Sequence, residues 1–122
     1  MKIFLAGPFF TQGEEEFMEK LKAMLEDLGH EVISPLDIGF QKGGSEELFQ
    51  KDLGEISRCD ALFAILDGLD PGTMCEIGYA RAMGKKIVGI WTHKEKVLDP
   101  FVEWMCKKVI GYEDLKKGRF WH

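Results

Sequence analysis

Two acidic side chains stand where the chain otherwise sets apolar ones. Ser45 to Arg58 reads as a helix that opens Ser-Glu-Glu-Leu, with Ser45 as its cap. At 100° per residue, Leu48, Phe49, Leu53 and Ile56 span an arc of roughly 140°, and Asp52 falls inside it, about 40° from Leu48 and from Ile56. A carboxylate among core-facing side chains costs on the order of several kcal/mol unless a partner satisfies it. Asp52 is therefore either a rim aspartate, capped or salt-bridged, or an acid kept for chemistry. The second acid is Glu76, at the end of Asp67-Gly68-Leu69-Asp70-Pro71-Gly72-Thr73-Met74-Cys75-Glu76. Glycines there let the backbone approach a ligand, and a helix start offers free N–H groups. Glu76 also has a structural reading, since the helix dipole favours acids in first turns. No Gly-Lys-Ser/Thr follows this loop and no GxGxxG follows the first strand, which weakens kinase and dehydrogenase readings. Carboxylates are then the best supply of a nucleophile.

The elements that must hold these acids alternate in type. Lys2 to Ala6 is a buried strand closed by Gly7-Pro8. Gln12 to Leu28 carries Phe17, Leu21, Met24, Leu25 and Leu28 at helical spacing, and Gly29 ends it. Glu31 to Ser34 is a second strand stopped by Pro35, and Leu36 to Gly44 is a loop without a period. Asp60 to Leu66 is apolar without a break after Asp60, as in a strand buried on both faces at the centre of a parallel sheet. Thr73 to Met83 is helical, Lys86 to Trp91 a fourth strand, Pro100 opens a helix, and Lys108 to Ile110 is a short fifth strand. This order predicts right-handed βαβ units, an α/β doubly wound sheet, and ligands beyond the carboxyl ends of its strands. Gly7 to Gln12, Pro35 to Gly44 and Asp67 to Glu76 should then meet in space.

The 122 residues suit one domain, spanning 1–122, with no internal repeat or linker. A net charge of -5 argues against a nucleic-acid partner, which needs a basic surface. Cys59, Cys75 and Cys106 are scattered and odd in number, so they form no disulfide framework. His30, His93 and His122 have no zinc-ligand spacing, and neither a metal nor a cofactor is expected. The N-terminal apolar run is too short for a signal region or a membrane span, so a cytoplasmic location is expected.

Four motifs in register resemble the nucleoside 2-deoxyribosyltransferase family: Phe4-Leu5-Ala6-Gly7-Pro8-Phe9-Phe10, Pro35-Leu36-Asp37, Asp52-Leu53, and Asp70 through Ala80. The run Glu76-Ile77-Gly78-Tyr79-Ala80 is the most specific of them. The resemblance implies a flavodoxin-like (Rossmann-like) fold whose five-stranded parallel sheet is flanked by helices. It implies a ping-pong reaction in which ionised Glu76 attacks C1′ of the sugar, forms a covalent glycosyl-enzyme, and yields the sugar to an incoming base. By the same resemblance, Asp52 assists departure of the base and Asp70 binds the sugar hydroxyls. Gly7, Phe9, Asp37 and Gly72 belong to the implied binding site, with Asp99 near a position supplied by a neighbouring subunit. Nucleosides and free nucleobases are the implied small-molecule partners, and a homodimer or higher homo-oligomer follows. The chemistry is sound: a carboxylate splits one difficult displacement into two easier ones through an oxocarbenium-like transition state.

Two residues depart from the family pattern. Phe4 stands where a tyrosine usually touches the nucleophile; it is either a tolerated core aromatic or a gap that admits a ribose 2′-OH. Asp99 stands where an asparagine is usual. Relatives that act on nucleoside 5′-monophosphates carry small hydroxyl residues near Asp70 and Asp99, and two carboxylates repel a phosphate at short range. Nucleosides are thus expected over nucleotides. Hydrolysis through the same Glu76 remains open beside transfer, as does a non-catalytic nucleoside sensor, although a sensor needs no nucleophile. A phosphoribohydrolase with a PGGxGTxxE motif fits less well, because the double glycine and the flanking arginine are missing. Tyr79 reads as packing between helix and sheet. Trp91, Trp104 and Trp121 read as core or subunit-interface residues.

Overall fold

The computed structural model of the chain describes residues 1–39, 44–95 and 99–121. Five parallel strands, β1 (Lys2–Ala6), β2 (Glu31–Ile33), β3 (Ala61–Ile65), β4 (Lys86–Ile90) and β5 (Lys108–Ile110), form one sheet in the order β2-β1-β3-β4-β5. Each strand pairs in parallel with its neighbours, with Phe4 beside Leu62 and Ala64 beside Gly89. This is the flavodoxin-like order, and its reversal of direction lies between β1 and β3.

Side chains alternate across the sheet and fill both sides. Ile3, Leu5, Phe63 and Ile65 pack with Met18, Leu21 and Leu25 of α1 (Gln12–Asp27) and with Leu115 of α6 (Tyr112–Lys116). Phe4, Ala6, Leu62, Ala64 and Leu66 pack with Ile56 of α3 (Glu46–Arg58) and with Ile77 and Ala80 of α4 (Pro71–Ala82). Both layers are closed to water, which is why β3 is apolar without a break. The acids of interest ride on the second layer.

Local signals set the helix ends. Thr11 and Glu14 form a capping box at α1, and the chain leaves that helix through Gly29 at φ 94°. Ser45 Oγ accepts from Leu48 N at 3.1 Å to start α3. Asp70 caps α4 and Asp99 caps α5 (Pro100–Met105), each followed by a proline at the first helical position.

Three differences from the sequence reading have local causes. The loop expected from Leu36 opens instead as a one-turn helix, α2 (Pro35–Ile38), because Ser34 and Asp37 form a capping box around Pro35. Residues 40–43 of that loop lie outside the described residues. Helix α4 begins at Pro71, two residues before Thr73, since Asp70 rather than Gly72 supplies the cap. Helix α6 is too short to show a period, and its Gly111 cap makes no side-chain bond.

Gly7 ends β1 where the backbone crosses close to Ile65. A Cβ at Gly7 meets Ile65 Cδ1 at 2.8 Å, Cβ at 3.0 Å and Cγ1 at 3.2 Å. Gly7→Ala should therefore destabilise the fold by about 1–3 kcal/mol through overpacking. Gly13→Ala, which meets nothing within 4 Å in the first turn of α1, should leave stability level or raise it slightly. Denaturant unfolding of both variants checks the contrast.

Candidate active site

A cavity of about 750 Å³ opens beyond the carboxyl ends of β1 and β3. That size lies within the roughly 300–1,000 Å³ usual for small-molecule sites. The segment after β1 contributes Gly7, Phe9 and Phe10, and α2 and its exit contribute Pro35, Ile38 and Gly39. From α3 come Leu48, Phe49, Asp52 and Leu53, and from α4 and its cap Asp70, Gly72, Cys75, Glu76 and Tyr79. The three expected segments do converge, and all three acids line one space.

Each acid has a different attachment. Asp70 Oδ2 accepts from Thr73 N at 3.0 Å and from Thr73 Oγ1 at 2.8 Å, so its carboxylate is pinned to the start of α4. The chain reaches it through Gly68 at φ 81° and Leu69 at φ 46°, a left-handed pair that turns β3 sharply into the helix. Asp52 projects from the second turn of α3 between Leu48 and Leu53. Glu76 is hydrogen-bonded to Asp52. Burial first, then the bond and charge of Asp52, with further contributions from Asp70 and Cys75, push the Glu76 carboxyl far above its ordinary range, to about 10. The fold therefore favours the neutral form of Glu76, whereas the attack expected from the sequence needs that carboxyl ionised. Desolvation beside a second acid is the physical reason.

The other expected residues divide. Phe9, at the cavity, stacks on Phe10 with ring centroids 4.9 Å apart, and Gly72 leaves the rim open beside Asp70. Phe4 is fully buried in the core layer behind the cavity and is not among its lining residues. Its position is that of a core aromatic. Asp37 also lies off the cavity lining. Its carboxylate accepts from Lys22 Nζ at 2.7 and 2.9 Å and from Ser34 N at 2.8 Å. Burial opposes its charge, but those bonds more than offset it and hold its carboxyl below the usual range. It caps the start of α2. Asp99 is exposed and caps α5 through Phe101 N and Val102 N, away from the cavity of its own chain. Sequence reasoning missed the apolar wall of Ile38, Leu48 and Phe49, although the α3 arc already contains two of its members. Among the described residues no cluster of His, Cys, Asp or Glu could hold a metal ion, and no helix is long and apolar enough to cross a membrane.

A doubly wound sheet with carboxylates converging at its switch point is a usual setting for a small-molecule site. Comparison with known proteins makes the class specific. The family model for nucleoside 2-deoxyribosyltransferase matches residues 3–117. The structure is similar to that of a 2-deoxyribosyltransferase from Bacillus psychrosaccharolyticus, with TM-score 0.82 and 28% identity, covering 100% of this chain and 93% of the other. It is also similar to a Clostridium botulinum CMP N-glycosidase, with TM-score 0.66 and 28% identity over 98% and 96% of the two chains. An uncharacterized protein of Ureaplasma parvum serovar 3 is 24% identical, covering 94% of this chain and 91% of its own length. This chain belongs to the nucleoside 2-deoxyribosyltransferase family and is an enzyme of the deoxyribosyltransferase and N-glycosidase type.

The protonated Glu76 has a consequence for stability. Its folded-state pKa lies above the unfolded value, so the stabilisation from the neutral form is complete below about pH 4.5 and fades as pH rises toward the folded value. Glu76→Gln has no proton to lose. The variant should gain on the wild-type protein steadily from about pH 5 to pH 9. Thermal unfolding across that range is the check, and a difference that does not grow with pH would show Glu76 already ionised in the resting fold.

Proposed function

We propose that the enzyme moves a ribosyl or deoxyribosyl group between nucleobases through a covalent ester on Glu76. The observation that carries this reading is the convergence of Glu76, Asp52 and Asp70 in one cavity, with Glu76 bonded to Asp52. The pair holds one proton, and the reaction needs it twice. As a substrate fills the cavity, the proton of Glu76 passes to Asp52. The freed Glu76 carboxylate attacks C1′, the C1′–N bond breaks, and its electron pair goes to the base nitrogen, which takes the proton from Asp52. The incoming base reverses these steps: its nitrogen displaces Glu76 from C1′ and returns a proton through Asp52. Asp70 keeps Oδ1 for the sugar hydroxyls while Oδ2 holds Thr73.

The apolar wall of Ile38, Leu48, Phe49 and Phe9 suits the faces of a planar base at the Asp52 side. The sugar then lies toward Gly7, Gly72 and Asp70. A 5′-phosphate would meet the Asp70 carboxylate there, and Asp70 already occupies the N–H of Thr73 that could have received an anion. Nucleosides are therefore the proposed donors, in contrast to the relative that is a CMP N-glycosidase. Water can replace the incoming base as acceptor, so N-glycosidic hydrolysis is the second reading.

The working form in this proposal is a homo-oligomer. Helix α5 has no buried residue and presents Phe101, 71% exposed, and Trp104, 81% exposed, directly after Asp99. Such a face fits a second copy of the chain, which would bring Asp99 to a neighbour's cavity.

Deoxyinosine mixed with free adenine should yield deoxyadenosine, and Glu76→Ala should abolish turnover while nucleoside binding persists. Deoxyinosine 5′-monophosphate should be a poor donor; free deoxyribose without an acceptor would move the assignment to hydrolysis, and a preference for the monophosphate would overturn the nucleoside reading. Trp104→Glu should lower the mass seen by sedimentation and reduce activity with it; an unchanged mass rules out α5 as the contact.

A further inference from the structure

Glu76 and Asp52 ride on different helices, so their contact depends on how α4 is held against α3. Apart from the acids themselves, a second side-chain hydrogen bond joins these helices: the Tyr79 hydroxyl and Ser57 Oγ are 2.9 Å apart. Ser57 Oγ directs its own proton to the Leu53 carbonyl at 3.0 Å, so Tyr79 O–H is the donor. Lys85, just beyond the end of α4, donates to the Ser57 carbonyl at 2.8 Å. That ammonium sits in the last turn of α3, where the helix dipole favours a cation.

The placement of these groups bears on the acids. Tyr79 follows Glu76 by one turn of α4, and its half-buried ring lines the cavity. Leu53, whose carbonyl Ser57 holds, is the neighbour of Asp52 and lines the same wall. Two helices joined at one point can pivot about it; joined at two, they keep their spacing. The Tyr79 proton is committed to Ser57, so it is not offered to Glu76 or to a substrate.

We propose that Tyr79 is a positioning residue: its hydrogen bond to Ser57 fixes α4 against α3 and thereby sets the spacing of Glu76 and Asp52. This rests on the reading that those two acids carry the reaction. Charge transfer between them and a sugar tolerates little error, since a misplacement of about 1 Å can cost roughly a hundredfold in rate. The groups that face Glu76 are Asp52 from α3, Asp70 from the cap of α4 and Cys75 from α4 itself. Tyr79 acts on the titration of Glu76 only by holding Asp52 in place.

The test is a cycle of Tyr79→Phe, Ser57→Ala and the double variant, compared in deoxyribosyl transfer from deoxyinosine. Tyr79→Phe keeps the ring and removes only the donor. Each single change should lower kcat by about tenfold with KM within about twofold, and the double variant should be no worse than either. In parallel, carbon-13 carboxyl NMR of Glu76 should show it titrating at lower pH in Tyr79→Phe than in the wild-type protein. Additive losses, or an unchanged kcat accompanied only by a lower melting temperature, would overturn the proposal. The NMR arm needs no turnover. Should the wild-type protein prove inactive, the functional reading fails by itself, and an unshifted Glu76 titration in Tyr79→Phe still refutes the tie.

Discussion

The burial of Glu76 against Asp52 is the constraint from which the rest of this molecule follows. Carboxylates in a partly dry pocket repel strongly, and together with burial this raises the Glu76 carboxyl well above its ordinary range. A neutral acid is a poor nucleophile, so in the proposed reaction a substrate must change the pair's surroundings before Glu76 attacks. What the fold supplies is a rigid meeting point. Helix α3 brings Asp52 and α4 brings Glu76, both seated on the same face of the sheet through Ile56, Ile77 and Ala80.

The sheet order makes that meeting possible. The order of strand addition reverses between the parallel strands β1 and β3, so the loops leaving them part and expose a space above Gly7. Gly7 is required because Ile65 of the adjacent strand fills the volume a side chain would take. Pro71 and Asp70 then start α4 abruptly after the left-handed turn at Gly68 and Leu69, which sets Glu76 in its second turn and not further from the strand ends. Backbone geometry, far more than side-chain length, decides where Glu76 sits.

Most of the fold was legible because it rests on strong periodic signals. The continuous apolar run of β3, the helical spacing of α1 and the alternation of element types required a parallel sheet covered on both faces. The elements that escaped were short. Helix α2 is written by one capping box around Pro35, where proline reads more readily as a stop, and α6 has five residues and no capping side chain. At the site, Asp52 and Glu76 were legible as acids in apolar company. The capping of α2 by Asp37 and its pairing with Lys22 were not, because an aspartate two residues after a proline carries no sign of either. The setting of Phe4 was equally hidden: alternation along β1 says which face it takes, and only the fold shows it packed in one layer with Ile77 and Tyr79.

A single proton shared by two acids also bears on which reaction the site favours. In the proposed cycle the departing base takes that proton from Asp52, and an incoming base restores one to the same oxygen. Donor and acceptor are chemically alike, so forward and reverse halves use one geometry, and neither demands a new group. Water asks the same of Asp52 but brings no apolar face to the wall formed by Ile38, Leu48 and Phe49. A base gains burial there that water cannot, by roughly 25 cal/mol for each Å² of apolar surface covered. In the proposed cycle the wall beside the acid would favour transfer over hydrolysis, through occupancy of the acceptor position and with no change in the carboxylates themselves.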